Sequence, residues 1–438
     1  SMQQDRRLPR ALGVRPSSGP PRRCSHGALA AVAEPLWGMS IDLEQVSVED
    51  HCGGQLFTLR WEGERMVRAW MPPGHDLSAE PLPCFWMQDG QNVFRDEVAF
   101  GGISWGAAGS VMHLIQAGCI PSMAVIAVDH AGVNRSFDYL PLPPGDWGGM
   151  RQDMAAARGG NIEVYCERLL RGLLPWAEKR FNLSPDPKRR ALGGSSFGGI
   201  ATLYMAMLRP DAFRCVMIES PSFWACDGRT MQDVRGHAGK PWPERVYLAM
   251  GGSEYSATRP TAGAAGAQCD AFLTQACEDC SALLAAQRVG PERLDWHVEP
   301  GAAHNERDWR RRLPRALRWL FGAPLAAENS AGEAFWSRPS PVRAGCAFEL
   351  YADPSKLPQP CRGQPQVRLG FDTWSRDVQT LLLQPAGLPR QEAAGDKAWL
   401  VAMVVAPPGA RDLQLAFTNG TDWDNNGGKN YELPVTQG

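Results

Sequence analysis

ALGGSSFGGIATLYMAMLRP, residues 191–210, sets two adjacent serines among four glycines, between a short apolar run and an amphipathic one. Residues 194–198, Gly-Ser-Ser-Phe-Gly, satisfy G-x-S-x-G, with a strand-like run before them and a helical period after. In that context the central serine, Ser196, sits on a turn too sharp for a β-carbon on its close neighbours, which is what the glycines supply. Ser196, and not Ser195, is therefore the expected nucleophile of an enzyme built on a parallel sheet.

A serine hydroxyl is a weak nucleophile at neutral pH and needs a base within hydrogen-bond reach. The chain has eight histidines, and in a strand–elbow–helix fold the base follows the last strand. His304 fits, in HVEPGAAHNERDW (residues 297–309), where a strand gives way to a Gly-Ala-Ala turn and then a helix; His297 lies inside the strand and reads as a packed residue. The acid that orients the imidazole belongs after an intervening strand. Glu254, just past RVYLAM (245–250), is the expected one and Asp270, at the start of a helical segment, the alternative. An oxyanion hole needs two backbone N–H groups. Phe197 offers one, and Gly90 or Gln91, in the turn that ends CFWMQDGQNVF (84–94), the other.

Length and composition bound the rest. At 438 residues two domains are expected. A net charge of −2 gives no reason to expect nucleic acid, and no apolar run is long enough to span a bilayer. Among twelve cysteines, Cys277 and Cys280 have redox or metal spacing but no second pair, and Cys346 and Cys361 are close enough in sequence to bridge. Residues 1–46 are arginine- and serine-rich at their start and poor in acids, which resembles an organelle transit peptide or a disordered basic tail.

From about residue 55 short apolar runs alternate with helical periods, the signature of a parallel sheet covered by helices. Strands are expected at 56–61, 66–71, 84–88, 123–129, 189–194, 215–220, 245–250 and 294–300, with helices at 163–181, 198–208, 270–287 and 309–320. The expected fold class is α/β, a mostly parallel sheet flanked by helices, over residues 47–323. Residues 324–340, rich in Ala, Pro, Ser and Gly, read as a linker. Residues 341–438 carry short strands between Pro, Gly and Asp/Asn turns and read as a small all-β sandwich with its own core, separable from the first domain.

MQDGQNVF, VIAVDHAGVNRSFDYLP (125–141), LGGSSFGG, ESPSFW (219–224) and GAAHNERDW, in that order, resemble the esterase branch of the α/β hydrolases that includes enterochelin and feruloyl esterases. The resemblance covers about residues 47–321 and implies a triad of Ser196, Glu254 and His304. Arg135 matches the family's arginine, with Asp138-Tyr139 where Glu-Tyr is usual; as a structural reading, Arg135 and Asp138 pair with each other. Insertions at 101–110 and 141–160 are expected to shape the pocket, with Trp105, Phe137, Trp147 and Trp224 as candidate aromatic walls. No metal or organic cofactor is needed.

In the second domain, sugar rings would call for flat aromatics beside amide groups. Trp374, Trp423 and Tyr431 are the candidate platforms and Asn425 and Asn426 the edge contacts. The run FTNGTDWDNNGGKNYEL (417–433) resembles the terminal segment of the starch-binding modules of amylases and starch synthases, over about residues 341–435. Together these readings give a serine carboxylic-ester hydrolase tethered to starch or a related α-glucan, with a plastid location implied by the basic start and the module. The alternatives are an acyltransferase to a glycan hydroxyl and a non-catalytic scaffold on starch.

Overall fold

A computed structural model describes residues 41, 43–77, 79–141, 160–322, 334–357, 365–386 and 399–437. Residues 1–40 of the basic N-terminal segment expected as a transit peptide or tail, the insertion at 142–159 with Trp147, and Cys361 therefore lie outside the described residues.

Nine strands form one sheet: β1 (Glu44–His51), β2 (Gly54–Arg60), β3 (Met66–Met71), β4 (Cys84–Gln88), β5 (Ala124–Val128), β6 (Arg190–Ser195), β7 (Cys215–Glu219), β8 (Arg245–Gly251) and β9 (Leu294–Glu299). Their order is β1-β2-β3-β5-β4-β6-β7-β8-β9. The first four in that order pair antiparallel and the rest parallel. Every residue of β4, β5, β6 and β7 is buried, which is why these segments read as unbroken apolar runs. The expected strands all form; β1 does not announce itself because it is an edge strand whose valines, Val46 and Val48, face solvent between glutamates.

Helices cover both faces: α1 (Ala107–Gln116), α2 (Arg135–Tyr139), α3 (Ile162–Arg168), α4 (Leu174–Phe181), α5 (Phe197–Leu208), α6 (Arg229–Gly236), α7 (Gly263–Ala286) and α8 (Glu306–Phe321). A π turn at Leu169–Leu173 joins α3 to α4, where Pro175 has no N–H to give to the turn before it. Alternation along the strands sorts two cores. Trp86, Leu192, Ile218 and Leu248 pack beneath α5 on one face, and Phe85, Met217 and Tyr247 pack against α1 and α8 on the other. Residues 101–110, expected as an inserted loop, instead hold the start of α1, and Trp105 is buried against Trp309 with ring centroids 5.7 Å apart. Cys277 and Cys280 are buried in α7, and desolvation pushes both thiols up, Cys280 to about 12. Thiols so protonated are inert packing residues.

The C-terminal region is all-β: β10 (Phe335–Arg338), β11 (Val342–Arg343), β12 (Ala347–Ala352), β13 (Gln366–Phe371), β14 (Arg376–Leu382), β15 (Gln384–Pro385), β16 (Leu400–Val405), β17 (Asp412–Thr418), β18 (Trp423–Asp424) and β19 (Tyr431–Thr436). One sheet runs β10-β12-β16-β15 and the other β11-β19-β17-β13-β14, with β18 on β17. Phe348, Leu350, Val367, Leu369, Leu413 and Phe417 build a core of their own. Two expectations change here. The stretch expected to be a linker contains β10, whose Trp336 stacks on Tyr351 at 4.3 Å. And the sandwich is not simply tethered: buried Arg318 of α8 pairs with buried Glu349 of β12, which also accepts from the Cys119 thiol and the Tyr351 hydroxyl. Arg338 donates to the Gly118 carbonyl and the Ala347 N–H to Gln116.

Candidate active site

Strand β6 ends at Ser195 and α5 begins at Phe197, so Ser196 occupies the turn between them, at φ 59° and ψ −123°. The glycines around it are dictated by close backbone approach. A β-carbon on Gly194 would lie 2.6 Å from the Gly198 carbonyl oxygen, and one on Gly199 2.9 Å from that of Glu219. Further bonds hold the turn: the Ser196 N–H donates to Glu219 O at 3.1 Å, and the Ser222 N–H to Ser196 O at 3.3 Å. The Ser196 hydroxyl lies 3.2 Å from that of Ser222. Both serines line a cavity of about 590 Å³, Ser195 buried and Ser196 partly exposed.

His304 lines the same cavity. Its Nδ1 hydrogen-bonds Glu254 Oε2, and its N–H donates to the Glu254 carbonyl at 3.3 Å. Glu254, just past β8, is 1% exposed and its other oxygen accepts from the Ser220 hydroxyl at 2.7 Å and the Gly251 N–H at 2.5 Å. Burial works to raise its pKa, but His304, Ser220 and Arg312 outweigh burial and hold the carboxyl below the usual range. Trp309 braces this arrangement: its indole N–H donates to Ser220 at 2.9 Å and its ring meets the His304 ring edge-on at 5.0 Å. The alternative acid, Asp270, is spent elsewhere. It accepts the N–H groups of Tyr255 and Ser256 at 2.7 and 3.2 Å, so it secures the loop that carries Glu254. His297, on edge strand β9, packs against Tyr247, and desolvation there lowers its pKa well below the ordinary value.

The turn after β4 stands beside the elbow because β4 pairs with β6 in register, Met87 opposite Gly193. It forms a short 3-10 turn, Gly90–Asn92, in which Gln91 lines the cavity and accepts from the His130 N–H at 3.2 Å. Phe197 opens α5 on the other side of Ser196. Asp89, just before the turn, takes a bidentate bond from Arg135 at 2.7 and 2.8 Å, while Asp138 pairs with Arg65 at 3.0 Å. The expected Arg135–Asp138 pair therefore does not form. Arg135 instead lies over the Phe197 and Tyr139 rings with one edge at the cavity. Asn92 and Glu306, which sequence reasoning passed over, also line it, joined by a bond from the Asn92 amide to Glu306 Oε1 at 2.9 Å. The signal for Glu306 was its place two residues beyond His304. Of the candidate aromatic walls, Phe137 lines a neighbouring cavity, and Trp224 packs on Phe197 at 5.8 Å.

In the sandwich, the five candidate sugar contacts separate. Trp423 is 51% exposed. Tyr431 packs edge-on against Phe335 at 4.9 Å and donates its hydroxyl to Asp424, so it serves the core more than the surface. Asn425 accepts the Gly428 N–H at 3.0 Å and Asn426 donates to the Asn430 carbonyl at 3.1 Å, so both amides shape the turn. Trp423 pairs with Thr418, which lies opposite Gln366 at the start of β13. Trp374 follows Phe371 at the other end of that strand, about 17 Å away at the ordinary rise per residue. The two tryptophans do not form one platform.

The family model "Putative esterase" matches residues 59–320, more than half of the chain. Among curated relatives, YbbA of Bacillus subtilis (strain 168) is 20% identical over 260 residues, 59% of this chain and 94% of its own. The iron(III) enterobactin esterase of Escherichia coli O6:H1 is 25% identical over 167 residues, 37% of this chain and 35% of its own, so the match spans only about a third of that enzyme. A siderophore triacetylfusarinine C esterase of Aspergillus fumigatus is 25% identical over 38% of this chain and 49% of its own. The solved structure of an IroE-like serine hydrolase from Shewanella oneidensis aligns with a TM-score of 0.47 at 17% identity, over 64% of this chain and 80% of that one. With the elbow, the cavity and the family match together, the chain belongs to the esterase family and is a carboxylic ester hydrolase of the serine type.

Proposed function

We propose that this chain cleaves carboxylic esters through an acyl-enzyme formed on Ser196. His304 takes the Ser196 proton as the hydroxyl attacks the ester carbonyl. It returns that proton to the departing alcohol, and then repeats both transfers with water to release the acid. Glu254 orients the imidazole and stabilises its protonated form. The backbone N–H groups of Phe197 and Gln91 receive the oxyanion. The observation that carries the reading is the meeting of Ser196 and His304 in one cavity, with His304 Nδ1 on a buried carboxylate. An organophosphonate probe tests it: the wild-type chain should gain one adduct on the peptide holding Ser196, and Ser196→Ala none. An adduct that persists in Ser196→Ala overturns the assignment.

The relatives named as esterases of iron(III) enterobactin and of the siderophore triacetylfusarinine C make siderophore esters the first substrates to assay, beside acylated glucans. We further propose that the Trp423 edge of the sandwich holds an α-glucan, a single exposed indole stacking on a sugar face. Its support is the exposure of Trp423 beside the Asn425–Asn430 turn. Sedimentation with insoluble starch should be lost in Trp423→Ala and kept in Trp374→Ala; starch binding that survives Trp423→Ala removes this part of the reading.

A further inference from the structure

Strand β7 runs into the stretch ESPSFW (219–224), one of whose serines still has no role. Because β7 pairs parallel with β6, Ser195 opposite Glu219, the loop that follows β7 stands beside the elbow. Its two serines reach opposite ends of the proposed triad. The Ser220 hydroxyl donates to Glu254 at 2.7 Å, and the Ser222 hydroxyl lies 3.2 Å from Ser196 Oγ. The loop holds Ser222 on both sides: its N–H donates to Ser196 O at 3.3 Å, and its carbonyl accepts the Ala225 N–H at 2.9 Å. Pro221 packs so closely on the first turn of α5 that a β-carbon on Gly199 would lie 3.3 Å from its Cα.

Ser222 is 2% exposed, and among the described residues the hydrogen-bond partner of its hydroxyl is Ser196. A hydroxyl has one hydrogen to give and two lone pairs to accept with. Buried polar groups of folded proteins are hydrogen-bonded as a rule. Were Ser196 the donor, its hydrogen would be spent on Ser222 and not on His304, and the Ser222 hydrogen would have no acceptor among the described residues. With Ser222 as the donor both hydrogens are used: one is held on Ser196 Oγ, and the Ser196 hydrogen stays free for the base.

We propose that Ser222 is a further catalytic residue: it donates a hydrogen bond to Ser196 Oγ and speeds the hydrolysis of the acyl-enzyme. In that half-reaction water attacks the acyl carbonyl carbon while His304 takes one of its protons. The tetrahedral intermediate then collapses. The bond from carbon to Ser196 Oγ breaks, its electron pair goes to Oγ, and His304 returns the proton there as the acid departs. Ser222 keeps its own proton throughout. In the acyl-enzyme the Oγ lone pair is delocalised into the carbonyl and accepts weakly; in the intermediate and as the bond breaks, that pair is restored. The bond from Ser222 is therefore stronger in the transition state than in the acyl-enzyme, and a donor already in place needs no reorganisation. In the free enzyme Oγ is a hydroxyl oxygen and accepts fully from the start, so the same bond adds little to acylation.

This inference rests on Ser196 as the nucleophile, and the experiment separates the two. Wild type, Ser222→Ala, Ser222→Cys and Ser196→Ala should be compared on p-nitrophenyl acetate, with kcat/KM reporting acylation. Rapid quench and mass spectrometry of the peptide holding Ser196 give the decay of its acetyl adduct, which is deacylation alone. In Ser222→Ala the adduct should accumulate and decay roughly tenfold more slowly, the worth of one hydrogen bond, while kcat/KM stays within about twofold of wild type. Ser222→Cys, close in size with a weaker donor, should decay at a rate between the two, and it carries the test by itself if Ser222→Ala does not fold. A merely structural role would lower kcat/KM and the decay rate by the same factor, together with the melting temperature, and overturns the inference. So does an unchanged decay rate, or no adduct in Ser222→Ala. A rise in kcat/KM at unchanged decay would make Ser222 a brake on the nucleophile and overturns it as well. All of these leave the esterase reading standing, whereas an active Ser196→Ala removes that reading first.

Discussion

A serine at φ 59° and ψ −123° occupies a sparsely populated backbone region at a cost of about 1–3 kcal/mol, and Ser196 keeps it because the glycines and the Glu219 carbonyl leave the chain no other path. That geometry leaves Ser196 partly exposed at the cavity, while Ser195, one residue earlier at the end of β6, is buried. Ser196→Ala should therefore cut ester turnover by a factor on the order of 10⁶ with the fold intact, whereas Ser195→Ala should be mild. Steady-state kinetics beside circular dichroism would check this, and exchanged phenotypes would move the nucleophile. The acid is tested at the same scale. His304→Ala should be as damaging as Ser196→Ala, and Glu254→Gln less so, because an amide still holds the imidazole in a poorer electrostatic setting. Asp270→Asn should keep most turnover, since it only secures the loop behind Glu254. Full activity in Glu254→Gln with loss in Asp270→Asn would give the role to Asp270.

At the scale of elements, the elbow depends on β6, α5 and the ends of β4 and β7 approaching more closely than side chains allow. Gly194→Ala would set a β-carbon against the Gly198 carbonyl, and neither backbone can yield without moving the Ser196 turn. Soluble yield, melting temperature and turnover should all fall together. Gly236→Ala, at the end of α6 with open space around it, is the control and should gain up to about 1 kcal/mol from helix propensity; an equal loss in both variants would show that packing at the elbow is not the cause. Strands β4 to β7 were legible because fully buried strands leave continuous apolar runs. Edge strand β1 and the Gly/Ala-rich first two turns of α7 were not, because neither carries an apolar period.

Across the whole molecule, the two regions keep separate apolar cores yet share one polar junction. Arg318, Glu349, Tyr351 and Cys119 are all buried where α8 and the end of α1 meet β12. Removing one partner of a buried ion pair costs about 3–5 kcal/mol, because the other charge stays out of water. Glu349→Leu should thus lower the melting temperature of the full chain and narrow the denaturant range over which the esterase region stays folded. A chain ending at residue 322 should also melt earlier than the full chain, having uncovered the α1 and α8 surfaces that the sandwich protects. Unchanged melting in both would restore the simpler picture of a sandwich on a tether.

The sequence by itself determined what local rules govern: the parallel sheet from its buried runs, the candidate nucleophile from a glycine-bounded serine between strand and helix, and the candidate base from its place after the last strand. Only the tertiary structure decided between chemically equivalent partners. Glu254 and Asp270 are both carboxylates in the right part of the chain, but only Glu254 reaches His304. Arg135 is three residues from Asp138, yet it bonds Asp89, 46 positions earlier, because the turn after β4 stands beside α2. Trp374 and Trp423 are both candidate sugar platforms in sequence, but one follows the end of β13 and the other pairs beside its start. Glu306 and Asn92 meet across 214 positions. Such pairings depend on distances between segments remote along the chain, which residue type and local spacing do not encode.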